Sequence, residues 1–138
     1  MGQVVYDLTC GTQDKIYQGG NTFTVGIRRN SGYSAPPASA YPVSAEISFT
    51  KIHVWSSRGP YIAFGDLFTS GSLSQTSGEF LKVSATINSS SIFSIGTESQ
   101  SVTATVKGLG AVNAFDFDST AATLVVTYGQ DFDASTAT

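Results

Sequence analysis

Leu81-Lys82-Val83-Ser84-Ala85-Thr86-Ile87-Asn88 alternates apolar and polar residues over eight positions without a break. Successive side chains of a β-strand point to opposite faces. The pattern therefore turns Leu81, Val83, Ala85 and Ile87 toward a core and Lys82, Ser84, Thr86 and Asn88 toward solvent. A helix would need apolar residues three as well as four apart, and the apolar residues of this stretch are never three apart.

The same period recurs outward in both directions. Val4-Val5-Tyr6 opens one candidate strand, and Phe23, Val25 and Ile27 alternate with Thr24, Gly26 and Arg28 in a second. Ala45, Ile47 and Phe49 share a phase that Ile52 and Val54 reverse, which predicts a β-bulge near Thr50-Lys51. Tyr61 to Phe64, Ile92 to Ile95, Val102 to Val106, Val112 to Phe117 and Leu124 to Tyr128 complete the set. No segment keeps a helical period over three turns. Eight or nine short strands in 138 residues predict an all-β fold, a two-sheet antiparallel β-sandwich formed as a single domain over 1–138. Phe23, Phe49, Phe80, Phe115 and Phe117 are assigned to its core. The long connection is Asn30 to Pro42, where Pro36, Pro37 and Pro42 cannot donate to a ladder. Such a loop either carries function or covers a sheet edge. Ser70 to Gly78 is a second, Gly- and Ser-rich polar loop.

Composition narrows the function classes. Charged residues make up 12% of the chain, about half the usual share of roughly 25%. Ser and Thr, about a quarter of the residues, take their place. That surface suits a protein working outside a cell or packed among copies of itself. A net charge of −3, with Arg28-Arg29 as the one adjacent basic pair, argues against nucleic acid. No apolar run approaches the length of a membrane helix, so no membrane role is expected. Met1 is followed by no basic start and no long apolar stretch, so no secretion signal is read. Two expectations follow: a domain taken from a larger secreted protein, or a component of a virus particle released by lysis.

Candidate chemistry is sparse. Cys10 is the only cysteine and His53 the only histidine. Neither has a visible partner for nucleophilic or metal chemistry, so Cys10 is expected in the core and no enzyme is expected. Asp116 and Asp118, like Asp131 and Asp133, have a D-x-D spacing that puts two carboxylates on one strand face. Asp116 and Asp118 are weak calcium candidates, and otherwise no metal and no cofactor is expected. Asn88-Ser89-Ser90 is the one N-x-S/T sequon. The aromatics say more. Trp55 and Tyr61 flank the turn Ser56–Pro60 with Arg58 in it, and Tyr33 and Tyr41 lie in the Pro-rich loop. Tyr33, Tyr41, Trp55, Arg58 and Tyr61 are the residue types that dominate contact surfaces. They are the candidate contacts for a partner protein or a stacked sugar ring.

SAEISFTKIHVW (Ser44–Trp55) resembles a middle strand of the jelly-roll modules of phage tail proteins and carbohydrate-binding modules. AFDFDSTAATLVVTYG (Ala114–Gly129) is similar to their last two strands. The resemblance covers about half the chain. It implies a jelly-roll-like sandwich and a role on a particle or cell surface. The expected function is a non-enzymatic structural or attachment protein of a virus particle, of a phage in particular, located in the virion. Its expected partners are copies of itself or other virion proteins. The alternative is an extracellular carbohydrate-binding module from a secreted enzyme or adhesin, which would meet a cell-surface glycan.

Overall fold

The computed structural model describes residues 2–16, 22–33, 36, 41–50, 52–54, 60–73, 80–88, 100–107 and 115–129; at 11–16, 52–54, 80 and 115–121 the description is of the backbone. Among the described residues there is no helix, and nine antiparallel strands form. They are β1 (Gln3–Ile16), β2 (Thr22–Arg29), β3 (Pro42–Thr50), β4 (Ile52–Val54), β5 (Tyr61–Phe64), β6 (Phe68–Ser70), β7 (Phe80–Ile87), β8 (Gln100–Lys107) and β9 (Phe115–Tyr128). The all-β expectation therefore holds.

The pairing is nested. The first strand pairs with the last (β1 with β9), then β2 with β8, β3 with β7 and β5 with β6. The chain thus runs as one long double-stranded ribbon that doubles back between β5 and β6. At that tip the amide of Leu67 donates to the Phe64 carbonyl at 3.2 Å, and Gly65 has φ 56°. Only glycine takes that left-handed conformation without a steric penalty. The Phe64 and Phe68 rings stack across the tip with centroids 4.6 Å apart.

The ribbon is rolled up. Four further ladders, β1–β2, β8–β5, β6–β7 and β3–β9, join its turns. The resulting order is β1-β2-β8-β5-β6-β7-β3-β9, with β9 back on β1 and β4 on the early part of β9. The expected pair of separate sheets is thus replaced by one sheet closed into a barrel. The reason is that hydrogen bonding continues through β1–β2 and β6–β7, the places where two sheets would part. Every strand of the eight-strand ring gains a neighbour on both sides, which removes the open edges of a sandwich.

Alternation delivers the core. Val4, Tyr6, Leu8 and Cys10 of β1 point inward, as do Phe23, Val25 and Ile27 of β2, and Ala45, Ile47 and Phe49 of β3. Ile62, Phe64, Leu67, Phe68, Leu73, Ala104, Val106, Ala122, Leu124, Val126 and Tyr128 fill the remainder among the described residues. Leu81, Val83, Ala85 and Ile87 keep their alternation and pack against this core, but only partly buried.

Several boundaries differ from the sequence reading. Val112 to Phe117 and Leu124 to Tyr128 were separate expectations; from Phe115 onward they are one 14-residue strand. The polar stretch between them is not a turn, because β1 follows β9 along it. The mismatch is absorbed by register shifts between Thr9, Gly11, Gln13 and Ile16. The phase reversal near Thr50 has a counterpart in the pairing. Phe49 faces Ala122 and Ile52 faces Phe117, so one strand advances three residues while β9 runs back five. The short β6 carries no alternation long enough to read. Ile92 to Ile95 lies outside the described residues, as do the side chains of Phe80, Phe115 and Phe117.

Candidate functional site

Strand direction separates the expected contact residues. β2 runs toward the barrel end at which β3 starts, so Tyr33 and Tyr41 lie at that end. β5 runs the same way as β2, so Tyr61 at its start lies at the opposite end, paired with Lys107 at the close of β8. Tyr33 and Tyr41 therefore do not share an end of the barrel with Tyr61. Trp55 and Arg58 lie outside the described residues. Tyr33 is half-buried against the core, Tyr61 is 37% exposed and Tyr41 is 56% exposed.

The start of the long loop is built, not loose. Asn30 donates its backbone amide to the Val5 carbonyl at 2.9 Å, and its side-chain amide lies 3.2 Å from both carboxylate oxygens of Asp7. Its side-chain oxygen accepts the Gly32 amide at 2.9 Å, and its carbonyl accepts the Tyr33 amide at 3.0 Å. This is an Asx-supported turn. Arg29 Nε then donates to the Tyr33 carbonyl at 3.0 Å, holding Tyr33 against the barrel mouth.

Beneath that mouth the hydroxyls of Tyr6 and Tyr128 meet at 3.2 Å, both side chains fully enclosed. Burial raises the pKa of Tyr6, partly offset by the Tyr128 hydrogen bond and by Arg29. Burial also raises that of Tyr128, and Tyr6 adds to the effect. Both phenols stay neutral across the ordinary pH range. The pair closes the core with a satisfied polar contact and offers no base.

Next to it the wall opens. The β3–β7 ladder stops at Ala45 opposite Ala85, while β3 continues on β9 and β7 continues on β6. Between the two departing strands lies a hollow of about 260 Å³, lined by Pro42, Val43, Ser44, Ala85, Thr86 and Ile87. The β3–β9 register shifts between Pro42 and Ser44, so Val43 is the extra residue of a bulge. Val43 is in phase with the buried Ala45 and Ile47, yet the bulge leaves it 52% exposed. In sequence, period two makes Val43 a core residue, so neither the hollow nor this exposed apolar side chain was expected.

Other candidates resolve simply. Cys10 is 1% exposed and burial pushes its thiol up to about 12, so it stays an unreactive thiol. The backbone of β4 sets His53 opposite Asp116 on β9, with Asp118 two residues further on. Among the described residues no group of three metal-binding side chains forms. Comparison with protein families, with curated proteins and with solved structures brings no match.

Proposed function

We propose that this chain is a non-enzymatic structural or attachment protein of a virus particle, a phage in particular, with the winding of a jelly roll. Nested pairing supports the winding: a jelly roll is a long hairpin rolled so that its two halves form two Greek keys, an architecture used by capsid and lectin domains. A shared fold does not establish a role. The observation that carries the role is the outer wall. Across β2 and β8, Thr22 faces Thr105, Thr24 faces Thr103 and Gly26 faces Ser101. The Thr and Ser side chains here are short, neutral and outward, with the exposed Arg28 and Lys107 at the two ends of the rows. Packing a copy against the middle of this wall therefore immobilises few rotamers and desolvates no charge. Among the described residues each strand of the ring has a neighbour on both sides, apart from the gap where β3 and β7 part beyond Ala45 and Ala85, so contacts between copies would use mainly faces and ends. The polar exterior and apolar interior are the reverse of a lipid-spanning barrel.

Light scattering at micromolar concentration tests this reading. The expected result is a defined oligomer well above the 14.4 kDa monomer. Thr24→Lys with Thr103→Lys should dissociate it while leaving thermal melting intact. A monomer at every concentration sinks the particle reading.

A further inference from the structure

Three features meet at the barrel end where β3 begins. The first is the hollow between β3 and β7, which has no charged side chain in its lining. Its walls combine four apolar residues, Pro42, Val43, Ala85 and Ile87, with the hydroxyl-bearing Ser44 and Thr86.

The second is a backbone donor and acceptor. The Ser84 carbonyl and the Asn88 amide both bond toward β6, to Gly71 and Leu67. In an antiparallel strand the residues between them face the other way. Ala85 thus faces Ala45, and the N–H and C=O of Ile87 face the hollow, beyond the last rung of the ladder.

The third is Tyr41, next to Pro42 on the β9 side. Its backbone carbonyl accepts the Gly129 amide at 3.0 Å, and its ring lies against Gly129, where a Cβ would collide with it. The ring is thereby positioned in advance while more than half of the residue stays exposed.

We infer that this hollow is a binding site for a neutral sugar ring, with the exposed Tyr41, the residue before Pro42, as the candidate stacking partner outside the lining. A pyranose has an apolar C–H face, which stacks on an aromatic ring or an aliphatic wall. It also has hydroxyls, which both donate and accept, as the Ile87 backbone and the Ser44 and Thr86 hydroxyls require. An uncharged lining selects against phosphate, sulfate and carboxylate ligands. The volume lies below the roughly 300–1,000 Å³ of pockets for drug-sized ligands and suits one ring. A held aromatic loses little freedom on binding. The site does not rest on the particle reading: a monomeric chain could carry it equally well.

Methyl and aromatic NMR spectra of the full chain test it, with D-glucose, D-galactose, D-mannose and N-acetyl-D-glucosamine as separate probes and glycerol as control. Each is added to about 50 mM, well beyond the Kd of order 1 mM that marks weak binding. At least one sugar should shift Val43, Ile87 and Tyr41 in a saturable way, and glycerol should not. Val43→Arg should abolish the shifts and Tyr41→Ala should weaken binding about tenfold, a change of roughly 1.4 kcal/mol. Both residues are exposed, so the variants should melt as the parent does. The proposal is overturned if no sugar shifts these residues, if glycerol shifts them alike, or if binding survives Val43→Arg. It is also overturned if the same resonances move with protein concentration alone, which would make the hollow a contact between copies.

Discussion

Ile47 and Val83 are cross-strand partners in the β3–β7 ladder, and each sits in an alternating strand. Ile47 is fully enclosed, whereas Val83 is half-buried. The difference lies in what surrounds the two strands. β3 sits between β7 and β9, and each inward pair it makes with β9 holds at least one large side chain: Ala45 faces Val126, Ile47 faces Leu124 and Phe49 faces Ala122. β7 forms a corner with β6. Toward its end the ladder closes on Ala45 and Ala85, two small side chains, and then stops. At the other corner, β1–β2, Leu8 faces Ile27, and Tyr6 and Phe23 add large rings to the interior. One corner is plugged and the other thins into a hollow. Period tells which way a side chain points; the volume of its neighbours decides how far it is enclosed.

The largest expected effect separates these partners. Ile47→Asp should prevent folding, because it encloses an unpaired carboxylate. Val83→Asp should remain soluble and cooperative, because the half-open corner lets water reach the charge. With alanine the contrast shrinks but persists: Ile47→Ala should cost about 2–5 kcal/mol, and Val83→Ala about 1 kcal/mol in view of its partial burial. Denaturant unfolding measures both. Equal costs would mean that the β7 corner is as closed as the β3 wall.

Much of the fold was legible for the same reason that the comparison works. Strands with residues at period two, such as β2 and β8, declare their faces without tertiary knowledge. The winding was not legible, because it depends on which strands pair across the whole chain. β1 meets β9 more than a hundred residues away, and no local signal specifies that partner. The candidate site was legible only in part. Tyr41 stands out in sequence as a loop aromatic. Val43 hides in phase with Ala45, and only the bulge turns it out. The placement of Tyr33 and Tyr61 at opposite ends likewise follows from strand direction, which composition does not encode.

The enclosed side of the comparison can be sharpened at Tyr6 and Tyr128. Tyr6→Phe removes one hydroxyl of the pair and should cost about 1 kcal/mol, more if Tyr128 finds no substitute partner. The folded state raises the pKa of both phenols, so it favours their neutral form. The sign follows. Stability from this source is intact below the ordinary tyrosine pKa of about 10 and is lost as pH climbs from there toward the raised folded values. Cys10, held at about 12, adds a loss of the same sign starting near its ordinary value of 9.0. Melting temperatures should therefore fall between about pH 9 and 11. The fall should be shallower when Tyr6 and Tyr128 are both phenylalanine. A variant with an unchanged alkaline fall would place the responsible groups elsewhere. The Cys10 thiol, on the same enclosed side, should resist a disulfide reagent in the folded protein and react once it is unfolded. Prompt reaction under native conditions would show that this wall opens.

The smallest perturbation is isotope exchange, which changes no side chain and reads the thinned corner directly. Along β7 the amides alternate between two partners. Those of Val83 and Ala85 face β3, where the ladder pairs them with Ile47 and Ala45. That of Thr86 faces β6 and pairs with Thr69, and that of Asn88 donates to the Leu67 carbonyl at 2.8 Å. Ile87 faces β3 beyond the last rung, where β3 has already left for β9. Native-state hydrogen exchange should therefore show Ala85 and Asn88 protected and Ile87, lying between them, exchanging fast. Simple fraying of the strand end would give a different profile, with protection falling steadily from Ala85 through Ile87 to Asn88. A protected Ile87 amide would mean that β3 and β7 stay zipped to their ends. The hollow would then be closed, and both the contrast between the two corners and the sugar site that depends on it would go with it.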